Sequence, residues 1–453
     1  MPQSMVSCLD TSTTKKLLLS LGAALLASCA SYVDKTSGAM DAFRNGRFEQ
    51  AEALFADKER TGSTFLSGAE AGLVSLTAGD FAAAIEYLTA AAAFSEEAEN
   101  ASLVDPESLV ESLASWTLSE TTTDYLGEGY ERVMVHACLG LAYLAQGKVD
   151  DLLVEVRRSN DLLNAEQDLY DTEYEAGGFG HLLSAIGYEL RGEMDQAYID
   201  YLDMYDKGVG LDLVGPSLVR LSRSMHRSED MDRFAEEFGE PAEIPGDAAK
   251  VILLAGVGLG PMKQEVRIDV PTVDGIFAWA VPAFQPQGNY GTNLEISTSD
   301  LAASSVVVED VNAVATKNLD DRIAMLSVKS AVRGALKLRL TKELQKKHGS
   351  AGALIGQLFA IITEKADLRS WLTLPATWQA ARLYPQPGTT TIRLRAIGGE
   401  SIELGTYDLA PGETIFVLAR NLGPRLHAHV LGGRQVDLST PEPQAAPNPG
   451  SDQ

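Results

Sequence analysis

Cysteine is scarce in this chain: three occur in 453 residues, at Cys8, Cys29 and Cys138. Because the amino-terminal features described below remove or modify the first two, a disulfide framework within one chain is excluded. We expect Cys138, within an apolar stretch, to be a buried and unreactive thiol. Basic residues are also scarce, with 37 Lys and Arg against 63 Asp and Glu and a formal net charge of −26. Such a charge repels phosphate backbones, so we expect no nucleic-acid partner.

Recognisable catalytic motifs are absent as well. The sequence contains no GxxxxGKS/T, GxSxG or HExxH run, and its cysteines form no CxxC pair. Residues 256–261 resemble a dinucleotide-binding fingerprint only superficially, because a proline breaks the spacing and a strand follows. His427 and His429 would share one face of a strand, but no third ligand stands in obvious register with them. We therefore expect no enzyme, no cofactor and no metal site.

The amino terminus has the parts of a bacterial lipoprotein signal over residues 1–28. A basic pair at 15–16 precedes a largely apolar stretch at 17–26, which is too short to cross a bilayer. A lipobox follows directly and consists of Leu26, Ala27, Ser28 and Cys29. The thiol of Cys29 would carry diacylglycerol, and the acyl chains would insert into the lipid bilayer. An ordinary secretory signal that ends near a cysteine is the alternative.

Ala30, rather than an aspartate, follows the lipidated cysteine. By analogy with enteric bacteria, this favours an outer-membrane lipoprotein that faces the periplasm; placement in the inner membrane and exposure at the cell surface are the alternatives. Residues 29–38 would then form a tether between the lipid and the rest of the chain.

A local pattern recurs between residues 39 and 240. In each copy a glycine is followed by a polar residue, a large apolar residue and, three positions later, a small or apolar one. The glycine would end one helix with a positive φ, and the small residue would let the next helix approach closely. The first two copies lie 33 residues apart, close to the tetratricopeptide period of about 34. The positions are Gly46, Phe48 and Ala51; Gly79, Phe81 and Ala84; Gly147; and Gly192 with Ala197, while Gly72 and Gly140 supply a small residue at the helix crossing.

These repeats carry an uneven charge. From Asp41 to Tyr130 there are 17 acidic and 4 basic residues, a local net charge of 4 − 17 = −13. Solvated outer faces of helices account for most of this excess. The alternative is an acidic groove that binds a basic segment of a protein partner. Unrelated amphipathic helices that end in glycine turns are the alternative to the repeat itself.

A strand-rich region is predicted at residues 246–438. Strands are expected at 250–255, 265–270 and 275–283, and five more follow from Trp371 onward, the first of them Trp371–Leu374. A helical insertion over 311–366 separates the two groups. Its basic and apolar hairpin at 327–362 has three possible interpretations. It packs in the core, it contacts anionic lipid at a membrane surface, or its basic residues neutralise the acidic repeats of the same molecule. The proline-rich residues 439–453 are predicted to be a disordered tail.

These patterns predict an α+β chain of several domains. An amino-terminal α-solenoid of degenerate tetratricopeptide repeats would be followed by a mixed antiparallel β domain with an inserted helical hairpin. Two segments of that second half, Val251–Ile268 and Ala366–Pro375, also resemble segments of a known family. With the lipobox and the repeats in the same order, the chain resembles a family of uncharacterised bacterial tetratricopeptide-repeat lipoproteins over nearly its whole mature length.

The resemblance implies a role in the cell envelope, because members are often encoded near lipoproteins similar to activators of penicillin-binding proteins. It supplies no catalytic residues. Our leading hypothesis is a membrane-anchored, non-enzymatic scaffold that binds a protein partner. The alternative is a ligand-binding protein or an enzyme with a site near Arg369, Trp371 and Trp378. A third hypothesis is lipid handling by residues 327–362.

Overall fold

The structure is a computed structural model that describes residues 31–104, 124–170, 177–272, 275–288, 293–320 and 367–436. Within these ranges the first half is helical and the second half consists mainly of strands, so the α+β division is confirmed. No helix in the described ranges is long and apolar enough to cross a membrane. The lipobox with Cys29, the 327–362 hairpin and the predicted tail lie outside the described residues.

Most of the described helices form antiparallel pairs whose two members are joined by a tight turn. The first member of a pair is called its first helix below. Residues 311–320, after the sixth strand, are also helical. The pairs are α1 (Tyr32–Arg44) with α2 (Phe48–Phe55), α4 (Thr64–Ala78) with α5 (Phe81–Val104), α6 (Gly129–Ala145) with α7 (Val149–Tyr170), α8 (Gly178–Arg191) with α9 (Met194–Asp206), and α10 (Leu211–Ser224) with α11 (Ser228–Phe238); the short α3 (Lys58–Thr61) follows the first pair.

The same turn joins the two helices in all five pairs. The four predicted turn glycines have φ between 70° and 86°. In the first turn the Arg47 N–H donates to the Ala42 carbonyl oxygen at 2.9 Å, which closes the helix in a Schellman motif. The fifth turn has the same hydrogen bond, from Arg227 to Ser222 at 2.9 Å, but His226 takes the glycine position with φ 56°. The glycine pattern therefore missed this pair.

The small residues predicted at the helix crossings do permit close approach. A Cβ added to Gly72 would lie 2.6 Å from Leu88 Cγ, and one added to Gly140 would lie 3.0 Å from Leu152 Cδ1. The predicted repeat alanines Ala51, Ala84 and Ala197 are all fully buried. Phe48 and Phe81, at the first position of their helices, are half-buried against the same core.

The predicted tether at 29–38 is wrong for its second part. Ser31 caps α1, because its hydroxyl accepts the Asp34 N–H at 3.2 Å and the Asp34 carboxylate accepts the Ser31 N–H at 3.1 Å. Thr36, inside the expected tether, is buried and donates to the Tyr32 carbonyl oxygen at 2.8 Å. Residues 32–38 therefore belong to the first helix.

Within the described ranges, the strands form two five-stranded sheets and one two-stranded ribbon. The first sheet has the order β11-β10-β1-β7-β6, the second the order β12-β9-β8-β4-β5, and β2 pairs with β3. The strands are β1 (Lys250–Val257), β2 (Met262–Thr272), β3 (Gly275–Gln285), β4 (Leu294–Ser297), β5 (Ala302–Ser304), β6 (Val306–Asp310), β7 (Thr377–Leu383), β8 (Gly388–Ala396), β9 (Ser401–Leu409), β10 (Thr414–Leu422), β11 (Arg425–Leu431) and β12 (Arg434–Gln435).

The first sheet is mixed, as predicted, because β1 runs parallel to β10, with Lys250 beside Thr414, and antiparallel to β7. One feature of the sheets differs from the prediction. Residues 371–374, predicted as a strand, form turns. Their backbone amides bond to helix carboxylates instead of a neighbouring strand, as described below.

The first sheet lies between the helices and the second sheet. Along β1, Ile252 and Leu254 join the core shared with the helices, whereas Val251 and Leu253 join the core shared with the second sheet. Successive side chains on a strand point to opposite faces, and both faces of β1 are covered, which explains its almost uninterrupted apolar sequence. The helical and strand halves consequently share one hydrophobic core.

Candidate functional site

The segment 369–375 crosses the boundary between the two halves, and two helix carboxylates bind its backbone. Glu70 of α4 accepts the Leu372 N–H at 2.7 Å and the Thr373 N–H at 2.9 Å. Glu131 of α6 accepts the Trp371 N–H at 2.8 Å. Three successive amides are therefore paired with carboxylates from neighbouring helix pairs. Because these amides donate to carboxylates, they are not available to pair with a neighbouring strand, and the segment forms no strand.

Both carboxylates are completely buried and have further partners. The Tyr32 hydroxyl donates to Glu70 at 2.7 Å, and the Tyr125 hydroxyl donates to Glu131 at 2.6 Å. Burial raises the pKa of Glu70 to about 7, although its hydrogen bonds oppose that shift. Burial likewise raises the pKa of Glu131, against the charge of Lys263 and its own hydrogen bonds. Buried carboxylates of this kind persist because charge-assisted hydrogen bonds compensate much of their desolvation.

The three candidate binding residues lie in this interface, and both tryptophans are buried in it. Trp371 is 1% exposed, and its Nε1–H donates to Thr373 Oγ1 at 2.9 Å. Trp378 is 2% exposed and stacks on Phe179, with ring centroids 4.2 Å apart. The Arg369 guanidinium pairs with Asp367 at 2.5 Å and lies 5.1 Å from the centre of the Tyr125 ring.

A cavity beside Trp378 is too small for a ligand. Its volume of about 20 Å³ lies between α4, α6 and the first sheet, with Arg420 and His429 in its wall. A space of that size holds about one water molecule. In the described residues, this geometry does not support the ligand-binding alternative near Arg369, Trp371 and Trp378.

A second pair of contacts joins the fourth helix pair to the first sheet. Glu309 of β6 accepts the Gly177 N–H at 3.2 Å and the Phe179 N–H at 3.0 Å, at the amino terminus of α8. Free N–H groups at a helix start favour a negative charge. Burial nevertheless raises the pKa of Glu309 to about 7. Near the other end of α8, Glu189 forms a partly buried ion pair with Arg382 of β7 at 2.9 Å.

His427 and His429 lie on β11, and each packs on the turn glycine of one helix pair. An added Cβ would lie 3.1 Å from His427 Cε1 at Gly46 and 2.6 Å from His429 Cε1 at Gly79. His429 Nε2 is 3.0 Å from the Thr77 carbonyl oxygen, and the His427 ring meets Phe48 edge-on at 4.8 Å. The shared strand face expected from the sequence is present, and it contacts the helix turns.

Sequence reasoning did not identify Glu70, Glu131 or Glu309. One signal was available for Glu70, because it is the sole charged residue of α4, whose other positions are apolar or small and polar. A lone charge on an otherwise uncharged buried helix requires a specific partner. No comparable signal marks Glu309, which belongs to a short acidic run at the end of β6.

An open groove lies on the helical half, away from these contacts. It has a volume of about 600 Å³ and is lined by Leu153, Val154, Tyr188 and four charged residues, with Gln196 at one edge. Val154 is 46% exposed. Arg191 in its wall pairs with Asp150 and with Glu193, both at 2.8 Å. The remaining cation, Arg157, has no ion-pair partner among the described residues.

No protein-family model matches this chain, and no curated protein matches it. The resemblance to tetratricopeptide lipoproteins therefore depends on the residues quoted above.

Proposed function

We propose that this protein is a lipid-anchored, non-enzymatic scaffold in the cell envelope that binds a protein partner through its helix pairs. One observation carries the proposal. The first sheet and segment 369–375 cover the surface that the first helices of the pairs present, whereas the groove on α7–α9 is open. The strand half thus fixes the helix pairs in one arrangement and leaves an outer surface for a partner.

The shared geometry of the helix pairs supports their assignment as degenerate tetratricopeptide repeats. All five have the same turn, and glycines stand at crossings where a side chain would collide with the second helix. Such arrays are generally recognition surfaces, because stacked helix pairs create extended grooves. Enzymatic chemistry is not needed for that role.

The groove fits an apolar segment that carries an acidic side chain. Leu153, Val154 and Tyr188 provide an apolar floor, and Arg157 is the groove's cation without an ion-pair partner in the part of the chain that the structure describes. The hypothesis of an acidic groove for a basic segment receives less support. Glu70 and Glu131 are occupied by segment 369–375, and Glu128 pairs with Lys263.

A site-specific photo-crosslinker tests this proposal in living cells. Placed at Val154, it should yield a discrete crosslinked protein, and Arg157→Glu should abolish that product. The matched position is Ile397, which has similar exposure, 43% against 46%, but lies in the strand half. The matched charge reversal is Lys148→Glu, outside the groove, which should leave the product unchanged. The same products at both positions, or a product insensitive to Arg157→Glu, would contradict the proposal.

The lipid anchor needs a separate test. Replacing Cys29 with serine should abolish incorporation of labelled palmitate and move the protein from the membrane fraction to the supernatant, because only the cysteine thiol accepts diacylglycerol. Continued labelling of the serine variant would exclude Cys29 as the anchor. Val154 crosslinking can be measured in the same variant, which separates the anchor from the groove.

A further inference from the structure

A cluster of three potential metal ligands lies inside the fourth helix pair. His181 is on α8, and Asp200 and Asp203 are three residues apart on α9, so the two carboxylates share one helix face. His181 Nδ1 is 3.1 Å from Asp200 Oδ1 and 3.7 Å from Asp203 Oδ2. His181 and Asp200 are buried, whereas Asp203 is half-buried and opens the cluster to solvent.

These distances match the ligand spacing of a tetrahedral zinc site. Zinc lies about 2.0–2.2 Å from histidine nitrogens and carboxylate oxygens, which places adjacent ligand atoms about 3.4 Å apart. The distances of 3.1 and 3.7 Å bracket that value. All three ligand atoms lie within 4.8 Å of one another. A metal ion could therefore enter with small side-chain movements.

The third helix pair provides an internal comparison. His136 and His181 both stand eleven residues before their turn glycine, and Glu155 and Asp200 both stand eight residues after it. His136 Nδ1 is 2.7 Å from Glu155 Oε2, so the same histidine–carboxylate contact occurs in both pairs. The two pairs differ at the next position of the motif.

Eleven residues after the turn glycine, the third pair has Arg158 and the fourth pair has Asp203. The Arg158 guanidinium lies 3.5 Å from Glu155 and 3.8 Å from Glu96, so the third pair contains its own counter-charge. In the fourth pair a second carboxylate takes that place. Asp203 stands three residues after Asp200 on the same helix face, so the two carboxylates repel each other. A bound cation would remove the repulsion between the two carboxylates.

We propose that His181, Asp200 and Asp203 bind one divalent transition-metal ion, of the zinc type, and leave its remaining coordination position to water. The bound ion would link α8 to α9 next to the α8 amino terminus that Glu309 binds. The sequence spacing does not reveal this site, because its ligands come from two antiparallel helices and form no short motif.

Cobalt(II) titration of the purified full-length protein, stripped with a chelator, tests the site. One ion per chain should bind, with visible absorption bands of a nitrogen- and oxygen-ligated cobalt ion that zinc abolishes by displacement. Asp203→Arg copies the arrangement of the third pair and should therefore fold. It should weaken binding by at least the roughly 10–100-fold that loss of an outer-shell partner causes. His181→Gln should do the same.

His136→Gln is the matched control and should leave cobalt affinity unchanged, because Arg158 already compensates its carboxylate partner. Circular dichroism and thermal unfolding of each variant report whether it is folded. The proposal is overturned if the wild-type protein binds no stoichiometric ion. It is equally overturned if folded Asp203→Arg binds like the wild type, or if His136→Gln weakens binding as much as His181→Gln.

Discussion

Replacement of Glu70 by glutamine should change how stability depends on pH. In the folded protein Glu70 is fully buried with a pKa of about 7, against an ordinary value of 4.5. Between these two pH values the folded state retains a proton that the unfolded state has released. Rising pH therefore favours unfolding, and the stability contributed by Glu70 is full below pH 4.5 and lost as the pH rises through 7. Glutamine cannot titrate, so this dependence should disappear.

The magnitude follows from the two pKa values. One pKa unit corresponds to about 1.4 kcal/mol, so the change from 4.5 to about 7 corresponds to about 3 kcal/mol of stability between pH 4 and pH 8. At low pH, Glu70→Gln should be the less stable protein. The glutamine side chain has one oxygen and one NH₂ group, so one of the two backbone N–H groups that donate to Glu70 would face another donor and lose its acceptor. At higher pH the difference should shrink by about 3 kcal/mol or change sign.

Urea unfolding of both proteins at intervals from pH 4 to pH 8 measures the effect. Glu309→Gln should show a similar change, since the pKa of Glu309 is also raised to about 7 by burial. Gly38→Ala is a control: Gly38 lies on α1 with open space around it, so alanine should stabilise by about 0.5–1 kcal/mol at every pH. Parallel stability curves for wild type and Glu70→Gln would refute the reasoning.

Three further predictions concern the helical half. Gly72→Ala should destabilise by about 1–3 kcal/mol in urea unfolding, because its Cβ would lie 2.6 Å from Leu88 Cγ; an unchanged midpoint would mean that the helices separate freely. His226→Gly should stabilise by about 1 kcal/mol, because the exposed His226 has φ 56°; a lower melting temperature would show that its side chain makes a needed contact. Cys138 should react with a thiol reagent only at the rate of unfolding, because it is buried and burial raises its pKa; rapid labelling of the native protein would contradict its position.

Four of the helix pairs could be predicted from the sequence because their turns are specified by residues that are close together in the chain. A glycine that must adopt a positive φ, followed by an apolar helix start, specifies a turn within six residues. The four glycine turns were found in this way. The fifth was missed because His226 adopts the same backbone conformation without the residue type that marks it. Local patterns thus identify a conformation only when the usual residue is present.

The strands were partly readable for the same reason. The apolar run of β1 indicates a strand covered on both faces, and its limits were predicted within two residues. Its neighbours were not predictable, because the parallel partner β10 begins more than 150 residues later. The error at Trp371–Leu374 has a related cause. Aromatic and apolar residues favour a strand, yet carboxylates on distant helices take the backbone donors.

The sequence alone determined the local features of this protein: a helical first half with glycine turns, a strand-rich second half, and a buried cysteine. Only the tertiary structure decided which groups meet. Glu70 bonds to an amide 302 positions away, and His181 lies opposite Asp200 on another helix. The physical reason is that backbone amides and carboxylates are nearly identical wherever they occur in a sequence. Their partners are chosen by the packing that brings them within about 3 Å.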